Sequence, residues 1–155
     1  MNFGGGGDIA ENTTIPRAQT KNYIKIKVNE KDVACLIDTG AFTNVISLTF
    51  LKKIKANMEV LGRNDDQSIS TASGQTIKIL GKTKLFLQFS VDYDPVEVNF
   101  YVLPFLPQNI VLGFSFLAEI GAVLDCENKT INFFDGTLTL PLLDRFAAEP
   151  TIFSV

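Results

Sequence analysis

An unbroken apolar run, Val33-Ala34-Cys35-Leu36-Ile37, leads directly into a carboxylate, Asp38, and then into Thr39-Gly40-Ala41. Such a run has no polar side to offer water, so it reads as a short buried strand. It delivers an ionisable group to the edge of the interior. A second wholly apolar run, Ile110-Val111-Leu112, ends in the same way at Gly113. Elsewhere the apolar residues alternate. Ile24, Ile26 and Val28 face away from Lys25, Lys27 and Asn29, and the period of two returns in Ile77 and Ile79, in Leu85, Leu87 and Phe89, in Val96 to Val102, and in Leu138, Leu140 and Leu142. Turns are expected at Asn29 to Asp32, Asp94-Pro95, Glu127 to Lys129 and Asp135-Gly136. Helical spacing is clearest in Phe116, Leu117 and Ile120, closed by Gly121, while Phe50, Leu51 and Ile54 suggest a brief helical turn. The pattern predicts an all-β fold with one short C-terminal helix.

A chain of 155 residues with 46% hydrophobic content can bury one core, and nothing in it suggests two. The expected organisation is a flexible N-terminal lead over 1–20, which holds the four-glycine run Gly4 to Gly7, a folded domain over 21–143 and a tail over 144–155. The absence of histidine removes Ser-His-Asp and Cys-His catalysis and the usual His-bearing metal centres. Hydrolytic chemistry would have to rest on carboxylates. A net charge of -3 with no dense Lys/Arg block argues against nucleic acid or an anionic membrane as partner. No apolar run approaches membrane-spanning length and no secretory signal opens the chain, so a soluble, cytoplasmic protein is expected. Without export, the sequons at Asn12 and Asn128 carry little meaning, and Cys35 and Cys126, which form no CxxC pair, read as buried or idle thiols.

Asp-Thr-Gly alone could be an ordinary turn, because Asp and Gly are turn residues and Asp accepts hydrogen bonds from nearby amides. Its setting in CLIDTGAFTNVIS argues otherwise, since apolar strands on both sides hold the loop inward, where a carboxylate without a role is costly. Here the chain resembles the retropepsins, the proteases of retroviruses and long-terminal-repeat retrotransposons. The resemblance rests on LIDTGA at Leu36 to Ala41, TASGQTIKI at Thr71 to Ile79, NIVLG at Asn109 to Gly113, FLAEIGAVLD at Phe116 to Asp125 and TINF at Thr130 to Phe133. Order and approximate spacing agree over about residues 22–134, and the IVLG, helix and terminal-strand sequence is closer to retrotransposon and endogenous elements than to lentiviruses.

The resemblance implies a closed β-barrel-like subunit with a β-hairpin flap, a C-terminal helix and a terminal strand used in dimerisation. It also implies an aspartic endopeptidase that acts as a homodimer on a peptide or polyprotein, in the cytoplasm or in virus-like particles, with no cofactor or metal. DTG occurs once, so each subunit would supply one catalytic Asp38, with Thr39 and Gly40 supporting the dyad. Substrate would meet Leu36, Gly40, Ala41, Val45 and Val111, the flap residues Thr71, Ala72, Ser73 and Gly74, and the loop residues Pro107 and Gln108. Phe42 and Phe114 stand where viral enzymes often carry an Asp and an Arg, and apolar packing is expected to replace that polar pair. The flap is also less glycine-rich than in lentiviral enzymes. The alternative is a catalytically silent dimerisation or peptide-binding module of the same fold.

Overall fold

The computed structural model describes residues 22–62, 67–70 and 73–148. The lead expected over 1–20 and the chain beyond 148 lie outside the described residues, as do Thr71 and Ala72. In chain order the first elements are β1 (Tyr23–Val28), β2 (Lys31–Asp38), β3 (Val45–Ser47), α1 (Leu48–Lys53) and β4 (Glu59–Val60). Then come β5 (Ser68–Ser70), β6 (Thr76–Lys78), β7 (Gly81–Gln88), β8 (Val96–Leu103), β9 (Ile110–Gly113) and α2 (Phe114–Glu119). The chain continues through β10 (Val123–Asp125), β11 (Thr130–Phe133), β12 (Leu138–Pro141) and α3 (Arg145–Ala148).

Alternation decides which side of each outer strand faces the core. Ile24, Ile26 and Val28 of β1, Thr83, Leu85 and Leu87 of β7, and Val98, Phe100 and Val102 of β8 all point inward. The unbroken runs take the positions covered on both faces, since all of β9 is buried, as are Val33, Ala34, Cys35 and Ile37 of β2. Burial pushes the Cys35 thiol far above its ordinary range, so it acts as a packing group, whereas Cys126 is exposed.

These strands pair in the order β1-β2-β9-β3-β8-β7, and β7 returns to β1 through Lys27↔Gln88 and Val28↔Leu87. The result is a closed six-stranded barrel with β4 added outside on β7. The barrel and the mainly β composition agree with the fold expected from sequence.

Among the described residues three short helices decorate it. Ser47 caps α1 by accepting the Phe50 N–H at 3.1 Å, which gives the brief helical turn read at Phe50 to Ile54 a defined start. At the end of α2, Gly121 (φ 66°) donates to Ala118 O at 3.1 Å and Ala122 donates to Leu117 O at 2.9 Å. That is the Schellman pattern, and it explains why the helix stops at the glycine. Asp144 caps α3, whose Ala148 is fully buried. Among the described residues no helix is long and apolar enough to cross a membrane.

The C-terminal sheet runs β10-β11-β12. Its central strand buries Ile131 and Phe133 completely. Phe133 and Phe134 meet Phe89 at ring separations of 4.9 and 5.6 Å, which joins this sheet to the end of β7. TINF, expected to be a terminal dimerisation strand, is hydrogen-bonded on both sides within its own chain. The hairpin that follows it uses up the free edge that a partner's strand would need.

Candidate active site

The barrel's strand order places the Asp38 carboxylate at its rim. β2 and β9 run parallel with Leu36↔Val111, Ile37↔Leu112 and Asp38↔Gly113 in register. β3 lies antiparallel on the other flank of β9, with Val45↔Val111 and Ile46↔Ile110. The loop from Thr39 to Asn44 therefore leaves β2, passes over the end of β9 and descends as β3. Close approach at this crossing requires the glycine, because a Cβ on Gly113 would fall 2.4 Å from the Thr43 carbonyl oxygen and 2.8 Å from that of Ala41.

Asp38 ends β2 half-buried, with Thr39 and Gly40 exposed beside it. One carboxylate oxygen, Oδ1, accepts the Gly40 N–H at 2.9 Å, and the Asp38 carbonyl accepts the Ala41 N–H at 3.1 Å. A side chain at Gly40 would press to 3.2 Å from that same Oδ1. Among the described residues the ion pair that forms, Lys27–Asp32, does not involve Asp38.

The residues expected to line a substrate channel fall together. Val45 and Val111 are buried in a small apolar cluster with Ile79 and Leu103, against which Leu36 and Ala41 pack. Ile69 and Ile77, opposite each other in the β5–β6 hairpin, join the same cluster, as does Leu106. The hairpin thus stands over the apolar wall, and its tip holds Ser73 and Gly74, whose φ of 90° suits a tight turn. Of the other expected contacts, Pro107 is exposed and Gln108 half-buried in the loop between β8 and β9. Thr71 and Ala72 fall outside the described residues.

Sequence reading passed over Asn44. It is buried, its Oδ1 accepts the Gly113 N–H at 2.8 Å and its Nδ2 donates to Asn99 O at 3.1 Å. An Asn beside Thr in a loop reads as a turn residue. The available signal was its position between DTGA and an apolar pair, where a polar side chain enters the interior and must find partners.

Phe42 and Phe114 flank the loop on its outer side, tied by Phe114 N–H to Ala41 O at 2.7 Å and Ser115 N–H to Phe42 O at 3.0 Å. Their side chains remain 75% and 51% exposed, a large apolar area next to a carboxylate. A groove of about 1190 Å³ lies elsewhere, against Thr43, Met58, Lys82, Phe86 and Tyr101, and does not include Asp38.

Comparison with known proteins agrees with this fold. The model of a family described as "gag-polyprotein putative aspartyl protease" matches residues 24–119. Among solved structures, the retroviral protease-like domain of Ddi1 from Leishmania major superposes with a TM-score of 0.62 at 15% identity, covering 80% of this chain and 94% of that one. The EIAV protease complexed with the inhibitor HBY-793 gives a TM-score of 0.54 at 18% identity, covering 69% of this chain and 94% of that one. At these identities the likeness establishes the fold. No curated protein matches the sequence.

Proposed function

The chain belongs to the gag-polyprotein aspartyl protease family, and from that premise we propose that it is an aspartic endopeptidase whose active site forms between two copies of the chain. The observation that carries this reading is the placement of Asp38: one half-buried carboxylate at the barrel rim, held by Gly40, beside an apolar wall and a hairpin. A lone carboxyl cannot be ionised to take a proton from water and, at the same moment, protonated to hydrogen-bond the scissile carbonyl. A twofold partner supplies the second.

Two like charges a few ångströms apart cannot both remain ionised, so the pair shares one proton, as the carboxylate dyads of aspartic proteases do. The ionised member takes a proton from water as the water attacks the scissile carbonyl, while the protonated member hydrogen-bonds to the carbonyl oxygen and a proton then passes to the leaving amine. Thr39, exposed beside Asp38, is positioned in this reading to bond across the twofold axis, and Gly40 leaves room for the substrate backbone. The β5–β6 hairpin acts as a flap that pairs with an extended peptide, whose side chains meet Leu36, Ala41, Val45 and Val111. A polyprotein fits as substrate because its linkers present extended segments.

The dimer reading also gives the exposed Phe42 and Phe114 a partner surface. A cleft shared by two subunits is enclosed by neither, which fits the position of the 1190 Å³ groove away from Asp38. The test is peptide-library cleavage at mildly acidic and neutral pH, with and without a statine-type inhibitor. Wild type is expected to cleave and be inhibited, and Asp38→Asn to lose roughly 10²–10⁴-fold in rate. Equal cleavage by the variant refutes the mechanism, and a wild type that dimerises without cleaving anything leaves a binding module.

A further inference from the structure

We propose that Asn44 is a positioning residue for the Asp38 carboxylate, an inference that rests on the protease reading above. The Asp38 carboxylate is held by the Gly40 N–H of its own loop, and its carbonyl by the Ala41 N–H, while its backbone ends the β2–β9 pairing opposite Gly113. Its place at the rim therefore depends on what fixes the loop and that pairing. Gly113, its neighbour across the parallel β2–β9 pair, is the fixed point.

Gly113 is held from two directions. The carbonyls of Ala41 and Thr43 crowd its Cα so closely that no side chain fits, and the Asn44 carboxamide captures its N–H at 2.8 Å. The other end of that carboxamide donates to Asn99 O at 3.1 Å, and the Asn44 backbone carbonyl accepts the Tyr101 N–H at 3.0 Å. One side chain thus ties the catalytic loop to the end of β9 and to β8. Phe114 and Ser115 then close the remaining register to Ala41 and Phe42.

The amide satisfies the buried Gly113 N–H, which an apolar residue of similar volume would leave without an acceptor. It also adds direction, a donor and an acceptor at fixed angles to two strands. In a symmetric site any displacement of the loop occurs in both subunits, so the separation of the two carboxylates changes by the combined shift. Misplacement on the order of 1 Å can cost about 10²-fold in rate.

The experiment compares wild-type dimer with Asn44→Ala and Asn44→Ser, counting competent sites by titration with a tight statine-type inhibitor and measuring kcat and KM per site across pH. Thr83→Ala is the control, since Thr83 is also buried and donates to Asn57 O, but does not touch the loop. Asn44→Ala is expected to lower kcat per titrated site roughly 10- to 100-fold with KM changed less than about threefold. It should also shift a limb of the pH–kcat profile, because carboxylate separation governs how the proton is shared. Asn44→Ser, too short to span both partners, should change in the same direction. Thr83→Ala should lower the melting temperature and leave both readouts alone. If both Asn44 variants lose only stability and keep wild-type kcat and pH profile per site, this inference is overturned while the protease reading stands. Cleavage that survives Asp38→Asn overturns both.

Discussion

At the scale of single residues, Asp38 was legible because a buried strand that ends on a carboxylate is an expensive arrangement that invites a chemical explanation. Leu36, Val45 and Val111 were named through the family resemblance, as substrate contacts, and the structure gathers them in one cluster. Asn44 was not, because its side-chain partners lie 55 and 69 residues away and only the closed barrel brings them near. The turn at Asn29-Glu30 shows local chemistry out of step with its backbone. Both residues have positive φ, as a two-residue hairpin requires, yet Glu30 is a poor choice for φ 70° and is exposed. Glu30→Gly relieves the steric cost at a smaller cost in chain entropy and is expected to stabilise the fold by about 0.5–1 kcal/mol. Urea denaturation would show a higher midpoint; a lower one would mean that the glutamate side chain contributes something the turn geometry does not reveal.

Among the elements, strands with strict alternation were read with little loss, while β4 was missed because Glu59 and Val60 are both exposed and two residues carry no period. The terminal strand shows the opposite difficulty. Thr130 to Phe133 was recognised as a strand, but pairing partners are not written in its pattern, and β10 and β12 close both its edges. Its role is to anchor the C-terminal sheet through Phe133, which is fully buried and meets Phe89 and Phe134 at 4.9 and 6.1 Å. Phe133→Ala should therefore destabilise the protein by about 3–5 kcal/mol, enough to unfold much of a marginally stable domain. Chemical denaturation monitored by far-UV circular dichroism gives the number. A loss below about 1 kcal/mol would show that the sheet is not bound to the barrel through this ring.

For the whole molecule, barrel closure was expected from family resemblance and could not be seen in periodicity, since β1 and β7 join over a short stretch, at Lys27↔Gln88 and Val28↔Leu87 and through Asn29 to Phe86. Assembly is further from the sequence still, because a twofold interface depends on surface shape. Phe42 and Phe114, exposed beside the Asp38 loop, are the residues on which the proposed dimer would rest in place of an ion pair. Phe114→Arg places a cation on each side of the axis without a matching acid at residue 42, and should weaken dimerisation about tenfold or more by sedimentation analysis. Tighter association would show that the interface wants charge there.

The most direct measurement mixes wild-type subunits with Asp38→Asn subunits under conditions of free exchange and follows peptide cleavage per wild-type chain. If both carboxylates of the active site come from different copies, activity per wild-type chain falls to about one half in an equal mixture and to about one tenth at ninefold excess of the variant, as random twofold pairing dictates. Activity that stays proportional to the amount of wild-type chain at every ratio would mean that one Asp38 suffices, and that the shared site does not exist.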